Sequence, residues 1–314
     1  MTEENKEFID AYIFMTYENM LKTLEKGRLK LLDPEKCNDP FEFMPASPTI
    51  SEDGATSFDS NYLRKENGLL CFTKTYKSPP MWAHYADNHK GCCVHFRFPA
   101  LPKQNSCERN LGFPEYPSYI YRKLLVEHEG KSLFPITQET INHTIITQKT
   151  TNHTILLDVL YLEKRLGLNE ISSVYNKFGN QEEFAIDPVF ITKDKSWEYE
   201  QEQRIIIPKP FPTEAENNLI FVGGFNEYIK SVMLGMHCPH SEEATQSIIN
   251  ALTLGEKNGS NITYKDRLTY DDQINVSRVK PTSNTFEVIS DEHEELLKLF
   301  KKTKNNTFFK STPN

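Results

Sequence analysis

The spacing of hydrophobic and polar residues predicts many short strands and few helices. Residues 11–15 have the pattern of a strand, and Thr16 then begins a predicted helix that Gly27 ends. Residues 81–91 and 241–252 have the pattern of two further helices. Further strands are predicted at 28–32, 69–73, 92–98, 119–127, 184–191, 204–207, 219–222, 229–234, 262–264 and 285–289. Because strands and helices do not alternate regularly, we expect an α+β fold with a mixed, mostly antiparallel sheet core and flanking helices.

The length of the chain, 314 residues, allows one large domain. We expect a single α+β domain over residues 1–290. Residues 130–185 are polar and compatible with helices, so we interpret them as a helical insertion in that domain. Residues 291–314 are predicted to form an amphipathic C-terminal helix and a disordered basic tail.

Charge and cysteine content restrict the location and the partners of the protein. A formal net charge of -8 argues against broad, nonspecific adhesion to nucleic acid, although a small basic site is compatible with it. No apolar run approaches the ~20 residues that span a bilayer, and the acidic residues 1–7 are unlike a secretory signal. The six cysteines contain no CxxC pair, which favours free thiols. We therefore expect a cytoplasmic protein without a membrane segment.

The charged stretch at residues 195–204 is the first candidate site, and it leads directly into three isoleucines. With the period of a strand, Trp197 lies on one face and four charged residues share the other. Those four residues are Glu198, Glu200, Glu202 and Arg204. If that face is enclosed, like charges raise carboxylate pKa values and the arginine lowers them, as in catalytic acids. The structural alternative is a solvated edge strand with a surface ion pair worth less than about 1 kcal/mol.

Two other stretches carry groups suited to binding or catalysis. Residues 38–42 place Asn38, Asp39 and a glutamate around a rigid proline turn, where the first two side chains also suit simple turn capping. Residues 81–91 hold His84 between Trp82 and Tyr85. These two rings suit stacking on a base or a nicotinamide, and equally suit a hydrophobic core.

Several common kinds of site are not supported by the sequence. His84 and His89 are five residues apart, off one helical face, and the cluster at 237–240 is a single weak one, so no metal site is expected. The chain has no GxSxG motif of a Ser-His-Asp hydrolase. It also lacks the GxxxxGK[ST] and GxGxxG motifs of phosphate loops and dinucleotide-binding folds.

The order and spacing of four motifs resemble the bacterial DUF2971 family over about residues 10–280. The motifs are NDPFE at 38–42, LCFTK at 70–74, MWxHYAxxHxG at 81–91 and KxWxxExExR at 195–204. This family is poorly characterised, so the resemblance implies a pattern of residues more than a function.

A looser resemblance is to the ADP-ribosyltransferases, particularly DNA-modifying toxins with an opening strand, a helix and a LexG turn, here at residues 12–27. In that group a glutamate late in the sheet, often preceded by Gln or Glu two residues earlier, holds the ribose beside nicotinamide. Glu200 and Glu202 are similar, and Thr73 lies where such enzymes often have Ser or Thr. The resemblance implies Glu202 as the catalytic carboxylate, Glu200 as its partner and NAD as the cofactor.

One departure from that group concerns the first strand. The toxins usually have a His or Arg there to grip NAD, whereas this chain has Ile, Phe and Met at residues 13–15. Either Arg28, Lys74 or Arg204 grips the diphosphate instead, or the resemblance is of the fold only. His84, with Trp82 and Tyr85, would line the pocket, beside further cofactor contacts from Asn38, Asp39, Thr73 and Trp197.

Three hypotheses of function follow. The first is an ADP-ribosyltransferase-like enzyme or NAD glycohydrolase, a toxin or phage-defence effector that acts on nucleic acid or protein. The second is a metal-dependent nuclease, with Asp39, Glu200 and Glu202 binding Mg²⁺ and Lys195 near the scissile phosphate. The third is a noncatalytic module that binds a ligand or a partner.

Overall fold

The structure is a computed structural model. It describes residues 8–44, 64–65, 67–99, 118–121, 125–128, 131–135, 153–167, 188–208, 219–223, 225, 228–239, 247–248, 250–251 and 274–291. In chain order its elements are β1 (Phe8–Met15), α1 (Tyr17–Lys26), β2 (Leu29–Lys30), β3 (Asn67–Thr73), α2 (Pro79–Tyr85), β4 (Cys92–Pro99), β5 (Ser118–Tyr121), β6 (Leu125–His128), β7 (Lys131–Pro135), β8 (His153–Asp158), β9 (Leu160–Leu162), β10 (Thr192–Asp194), β11 (Glu202–Pro208), β12 (Ile220–Gly223), β13 (Ile229–Leu234), β14 (Asn275–Pro281) and β15 (Val288–Asp291), with 3-10 helices at Pro34–Lys36, Pro188–Ile191 and Lys195–Glu200.

The chain divides into two compact units, each built from three segments. Unit 1 comprises Met1–Ile9, Lys30–Phe72 and Pro99–Val222, and unit 2 comprises Asp10–Leu29, Thr73–Phe98 and Gly223–Asn314. The expectation of a single domain over residues 1–290 stays a prediction. The predicted strand at 262–264 and the C-terminal helix and tail after residue 291 lie outside the described residues.

Unit 2 contains strands in the order β15-β14-β13-β4-β1. β13 is antiparallel to β4 and parallel to β14, and β14 is antiparallel to β15. The predicted start and end of α1 are confirmed: the Thr16 hydroxyl accepts a hydrogen bond from the Asn19 N–H (3.3 Å), and Gly27 adopts a left-handed φ of 61°. Local sequence therefore determines both ends of this helix.

Unit 1 contains strands in the order β3-β11-β8-β5, with β8 antiparallel to both β11 and β5. A second sheet has the order β2-β12-β6-β7, and β9 pairs with β10 in parallel. The core beneath β3, β8 and β11 contains six buried hydrophobic side chains: Phe43, Leu69, Leu157, Val189, Phe190 and Ile206. Burial of this apolar surface anchors the strands that carry the charged residues described below.

The prediction of an α+β fold with a mixed, mostly antiparallel sheet is confirmed, with few helices beside it. Among the described residues, no helix combines the length and the apolar character needed to cross a bilayer. The likeness to ADP-ribosyltransferases in fold stays a prediction.

Three predicted elements are wrong. The described parts of residues 130–185 contain the strands β7, β8 and β9 instead of helices. In β8 the consecutive residues Leu156 and Leu157 are both buried, as in a strand that is covered on both faces. The strand predicted at 119–127 is two strands, β5 and β6. The described end of the strand predicted at 184–191 is the 3-10 helix Pro188–Ile191, which begins at a proline whose fixed φ suits a helix start.

The prediction of one helix from residue 81 to Gly91 is also wrong, since α2 ends at Tyr85. Three consecutive residues after it, 87–89, have positive φ values of 46°, 52° and 67°. An α-helix cannot continue through left-handed residues. The turn packs closely on the chain after β13: a Cβ on Gly235 would lie 2.1 Å from the carbonyl oxygen of His89, so only glycine fits there.

Candidate functional site

The predicted strand over residues 195–204 is wrong in its first half, and the backbone found there decides which charged residues are buried. Residues Lys195–Glu200 form a 3-10 helix, and only from Glu202 does the chain run as β11. The Asp194 carboxylate begins this helix by accepting the Ser196 N–H at 2.9 Å, a short-range bond that outweighs strand propensity. Gln201 then takes a left-handed φ of 44°, which turns the chain into β11.

This turn separates the charged residues that strand periodicity had placed on one face. Glu198 points outward and pairs with Lys195 at 2.7 Å, with both side chains at least half exposed. Glu200 and Glu202 are both buried. The two buried carboxylates meet Arg204 of β11, Lys193 of β10 and Glu42. We call these five residues the buried charge cluster: Glu42, Lys193, Glu200, Glu202 and Arg204.

Lys193 lies among all three carboxylates of the buried charge cluster. Its Nζ donates to Glu200 Oε2 at 2.6 Å and to Glu202 Oε2 at 3.2 Å, and it lies 3.8 Å from Glu42 Oε1. Arg204 binds Glu202 with two parallel bonds, from Nε at 2.8 Å and from Nη2 at 2.7 Å. Its Nη2 also donates to Glu42, and all five residues belong to unit 1.

The backbone and a core ring fix Arg204 in place. Its Nη1 donates to the Phe190 carbonyl oxygen at 2.7 Å, and its guanidinium lies over the Phe43 ring at 5.0 Å from the centroid. Phe43 follows the turn at residues 38–42 and adopts a φ of 60°, which buries its ring. The planar guanidinium thereby has its hydrogen-bonding atoms and one face occupied.

The surroundings shift the pKa values of Glu202 and Glu42 in opposite directions. Burial raises the pKa of Glu202, but Arg204 and Lys193 outweigh burial and lower that pKa to about 2. Burial also raises the pKa of Glu42. Arg204 and Lys193 lower this pKa by less than burial raises it, so the net shift is upward. Burial lowers the pKa of Lys193, yet the three carboxylates raise it well above its usual value. The raised pKa makes Glu42 easier to protonate than an ordinary glutamate, whereas Glu202 is harder to protonate.

Uncharged groups complete the surroundings of Glu202. Its backbone N–H donates to the Tyr161 hydroxyl at 2.7 Å, and the Cys71 thiol donates to its carboxylate. Burial raises the pKa of Cys71 well above its usual value, and burial raises the pKa of Cys37 to about 12. Both cysteines are therefore neutral hydrogen-bonding groups beside the buried charge cluster, not reactive thiolates.

Two aromatic rings of the 3-10 helix border the buried charge cluster. Trp197 and Tyr199 are half-buried, with ring centroids 6.0 Å apart. The ammonium of Lys193 lies 5.0 Å from the centre of the Trp197 ring. A partly exposed aromatic pair thus adjoins buried carboxylates through one lysine.

The turn at residues 38–42 supplies one member of the buried charge cluster. The Asp39 carboxylate accepts the Phe41 N–H at 2.8 Å, and its backbone carbonyl accepts the Glu42 N–H at 3.2 Å. This supports the turn-capping role for Asp39, while Asn38 lies exposed. Their predicted contact with a cofactor stays a prediction.

The remaining predicted site residues belong to unit 2. Trp82 is fully buried, and its indole N–H donates to the Tyr76 carbonyl oxygen at 2.6 Å. Thr73 is also buried, and its hydroxyl donates to the Thr75 carbonyl oxygen at 3.2 Å. The other four reach solvent: Lys74 and His84 are exposed, and Arg28 and Tyr85 are half-buried. Their proposed roles stay predictions.

The structure therefore brings together Glu200, Glu202, Arg204 and, through Lys193, Trp197. Sequence reasoning missed Lys193 and did not include Glu42 among the site residues. Glu42 had a signal, its place in the motif at 38–42. Lys193 had no such signal, because the sequence of a charged stretch does not distinguish a lysine that becomes buried from one that stays in solvent.

The nuclease hypothesis required a metal held by Asp39, Glu200 and Glu202, with Lys195 at the phosphate. In the part of the chain that the structure describes, no group of three or more His, Cys, Asp or Glu side chains is arranged to hold a metal ion. The cation between Glu200 and Glu202 is the Lys193 ammonium. Metal-dependent chemistry stays an untested hypothesis.

Comparison with known proteins supports one family. Comparison with curated proteins and with solved structures found no match. Residues 81–205 match a family model described as a protein of unknown function, DUF2971. The matched range begins at α2 and ends one residue after Arg204, so it includes four of the five residues of the buried charge cluster. The DUF2971 resemblance inferred from the sequence motifs is therefore confirmed over residues 81–205.

Proposed function

We propose that this protein is an ADP-ribosyltransferase-like enzyme that cleaves NAD and transfers its ADP-ribose to a nucleic acid or protein acceptor. The observation that carries the proposal is the state of Glu202. Its carboxylate is enclosed and held ionised by Arg204 and Lys193. Glu200, two residues earlier, is buried beside it and shares the same lysine.

An ionised, fixed carboxylate suits the chemistry of this reaction. As nicotinamide leaves C1 of the ribose, positive charge develops on the sugar, and a carboxylate at the ribose 2′-hydroxyl stabilises that charge. A carboxylate already ionised and oriented needs no reorganisation during the reaction. In this proposal Glu202 is the catalytic carboxylate and Glu200 is its partner.

The aromatic pair next to the buried charge cluster supports a ligand with planar rings. Trp197 and Tyr199 are partly accessible, and every base or nicotinamide ring offers a face for stacking. The described cysteines are free thiols, which a reducing compartment preserves, and the proposal places the enzyme in the cytoplasm. A toxin or phage-defence role belongs to the same proposal.

The proposal is tested by nicotinamide release from NAD by the full chain, with and without DNA, RNA and cell extract. The Glu202→Gln variant should reduce release by about 100-fold or more, as expected for loss of a charge-stabilising group. The matched control is Glu198→Gln, which changes an exposed carboxylate on the same turn. Equal release by wild type and Glu202→Gln would remove Glu202 from the reaction.

Binding is measured separately from turnover, because Glu202→Gln also changes a buried ion pair. The chain has two tryptophans, and Trp82 is fully buried while Trp197 is half-buried. NAD bound at the buried charge cluster should quench the Trp197 fluorescence, and Trp197→Phe should abolish that change. Absence of both quenching and release under every condition would refute the NAD proposal.

A noncatalytic binding module is the second candidate, favoured by one specific observation. The Glu200 and Glu202 carboxylates and the Arg204 guanidinium are all bonded within unit 1 itself. Such a network can serve to hold β10, β11 and the turn at residues 38–42 in one arrangement. This candidate predicts ligand binding, seen as Trp197 quenching, without any release of nicotinamide.

A further inference from the structure

A second polar array, distinct from the buried charge cluster, lies on the sheet of unit 2. Asp10 and Tyr12 are two residues apart on β1, and His95 and Arg97 are two residues apart on β4. Side chains two apart share a face of a strand. Ser231 of β13 lies directly opposite His95 in the antiparallel pairing of these strands.

Hydrogen bonds link three of these side chains in series. His95 Nε2 lies 2.7 Å from Asp10 Oδ1, and His95 Nδ1 lies 3.3 Å from the Ser231 hydroxyl oxygen. An ionised carboxylate only accepts hydrogen bonds, so the ring proton belongs on Nε2. His95 Nδ1 then has its lone pair directed at Ser231, whose O–H donates to it.

The two other members of the array hold this series in place. Arg97 binds the Asp10 carboxylate through two hydrogen bonds, from Nε to Oδ1 at 2.7 Å and from Nη2 to Oδ2 at 3.2 Å. The Tyr12 ring stacks on the His95 ring at 4.6 Å between centroids. The imidazole is therefore fixed by a carboxylate at one nitrogen and an aromatic ring on its face.

Solvent reaches this face of the sheet. The side chains of Asp10 and Arg97 are 40% and 41% exposed, and Ser231 is half-buried, whereas the His95 side chain is only 10% exposed. A substrate can approach the serine while the base stays enclosed. Absence of a GxSxG motif does not exclude this arrangement, because a serine relay is defined by geometry and not by sequence position.

We propose that Ser231 is an activated nucleophile in a Ser231–His95–Asp10 relay that cleaves activated acyl groups such as esters and thioesters. This activity is independent of the function proposed for the buried charge cluster. His95 is the general base, Asp10 is its positioning residue, and water is the second substrate.

The proposed reaction balances as an acyl transfer followed by hydrolysis. Ser231 Oγ forms a bond to the acyl carbon as its proton passes to His95 Nδ1, and the bond to the leaving alcohol or thiol breaks as that group takes the proton. Water then attacks the acyl-serine, gives a proton to His95 and releases the acid. His95 finally returns the proton to Ser231.

The charges around His95 keep it able to act as a base. Burial lowers the pKa of His95, and Arg97 on its own strand and Lys230 on β13 lower it further, against Asp10 on β1, which raises it. The net direction is downward from 6.5, so the imidazole is neutral at neutral pH. Reaction at Ser231 should therefore fall only as the pH drops below about 6.5.

A fluorophosphonate probe applied to the full chain tests the proposal. Ser231 Oγ should bond to phosphorus, with fluoride leaving and the serine proton passing to His95, and peptide mass analysis should place the adduct on Ser231. Ser231→Ala should abolish the adduct. The control Ser277→Ala should not, because that serine is buried and its hydroxyl pairs with the Ser290 hydroxyl at 2.5 Å.

A second variant distinguishes a Ser231 that is activated by His95 from a Ser231 that is only accessible to the probe. His95→Gln keeps a donor for Asp10 but removes the base, so labelling should slow by about 100-fold or more. Melting temperatures of all variants verify that they fold. Wild-type protein without an adduct, an adduct at another residue, or unchanged labelling of His95→Gln would each overturn the proposal.

Discussion

The opposite pKa shifts of Glu202 and Glu42 predict that two chemically identical substitutions have different costs. Glu202→Gln removes an ionised carboxylate that accepts two bonds from Arg204 and one from Lys193. Glu42→Gln removes a carboxylate whose pKa is raised, and the amide oxygen of glutamine can still accept from Arg204. We expect the first substitution to destabilise the protein strongly and the second to have little effect.

The magnitude for Glu202 follows from its pKa. A fall from 4.5 to about 2 corresponds to about 3–4 kcal/mol at about 1.4 kcal/mol per pKa unit. This agrees with about 3–5 kcal/mol for breaking a buried ion pair by removing one partner. For Glu42→Gln we expect less than about 1 kcal/mol, since the raised pKa indicates that the charge of Glu42 gains little from this site and the glutamine oxygen can still accept from Arg204.

Urea unfolding followed by circular dichroism at pH 7 gives the free energy of unfolding for wild type and both variants. The stability that Glu202 contributes is present above its unfolded pKa of 4.5 and is lost as the pH falls towards about 2. The difference between wild type and Glu202→Gln should therefore shrink over that range. If Glu42→Gln costs as much as Glu202→Gln at pH 7, the opposite directions of the two pKa shifts are wrong.

Three further predictions concern other contacts. Arg204→Met should lower the free energy of unfolding in urea by about 3–5 kcal/mol, because it leaves the buried carboxylates of Glu42 and Glu202 without their guanidinium. A loss below about 1 kcal/mol would contradict the burial of these ion pairs. Glu198→Gln should change the free energy of unfolding by less than about 1 kcal/mol at any salt concentration, as expected for an exposed ion pair. Gly235→Ala should lower the free energy of unfolding by about 1–3 kcal/mol, since its methyl group would clash with the His89 carbonyl oxygen. An unchanged melting temperature would show that the turn at residues 87–89 can move away.

Short-range sequence information determined much of the fold. The Thr16 cap and Gly27 bound α1 as expected, and β3, β4, β11 and β13 lie close to their predicted positions. These features depend on residues a few positions apart or on strongly apolar runs, which carry the same preference in any surroundings. The α+β class followed from them. Glu200 and Glu202 were chosen from the charged stretch at residues 195–204 and from the resemblance to ADP-ribosyltransferases, and both are buried.

Tertiary structure alone decided which charges meet. Glu42 and Arg204 are 162 positions apart in the chain, and His95 is 136 positions from Ser231, so no local pattern could pair them. The 3-10 helix at Lys195–Glu200 sends Glu198 into solvent and its neighbour Glu200 into the core, against the period of a strand. Charged residues look alike in sequence. Only the packing of distant strands removes water from some of them, and loss of water is what gives a carboxylate its unusual pKa and its need for partners.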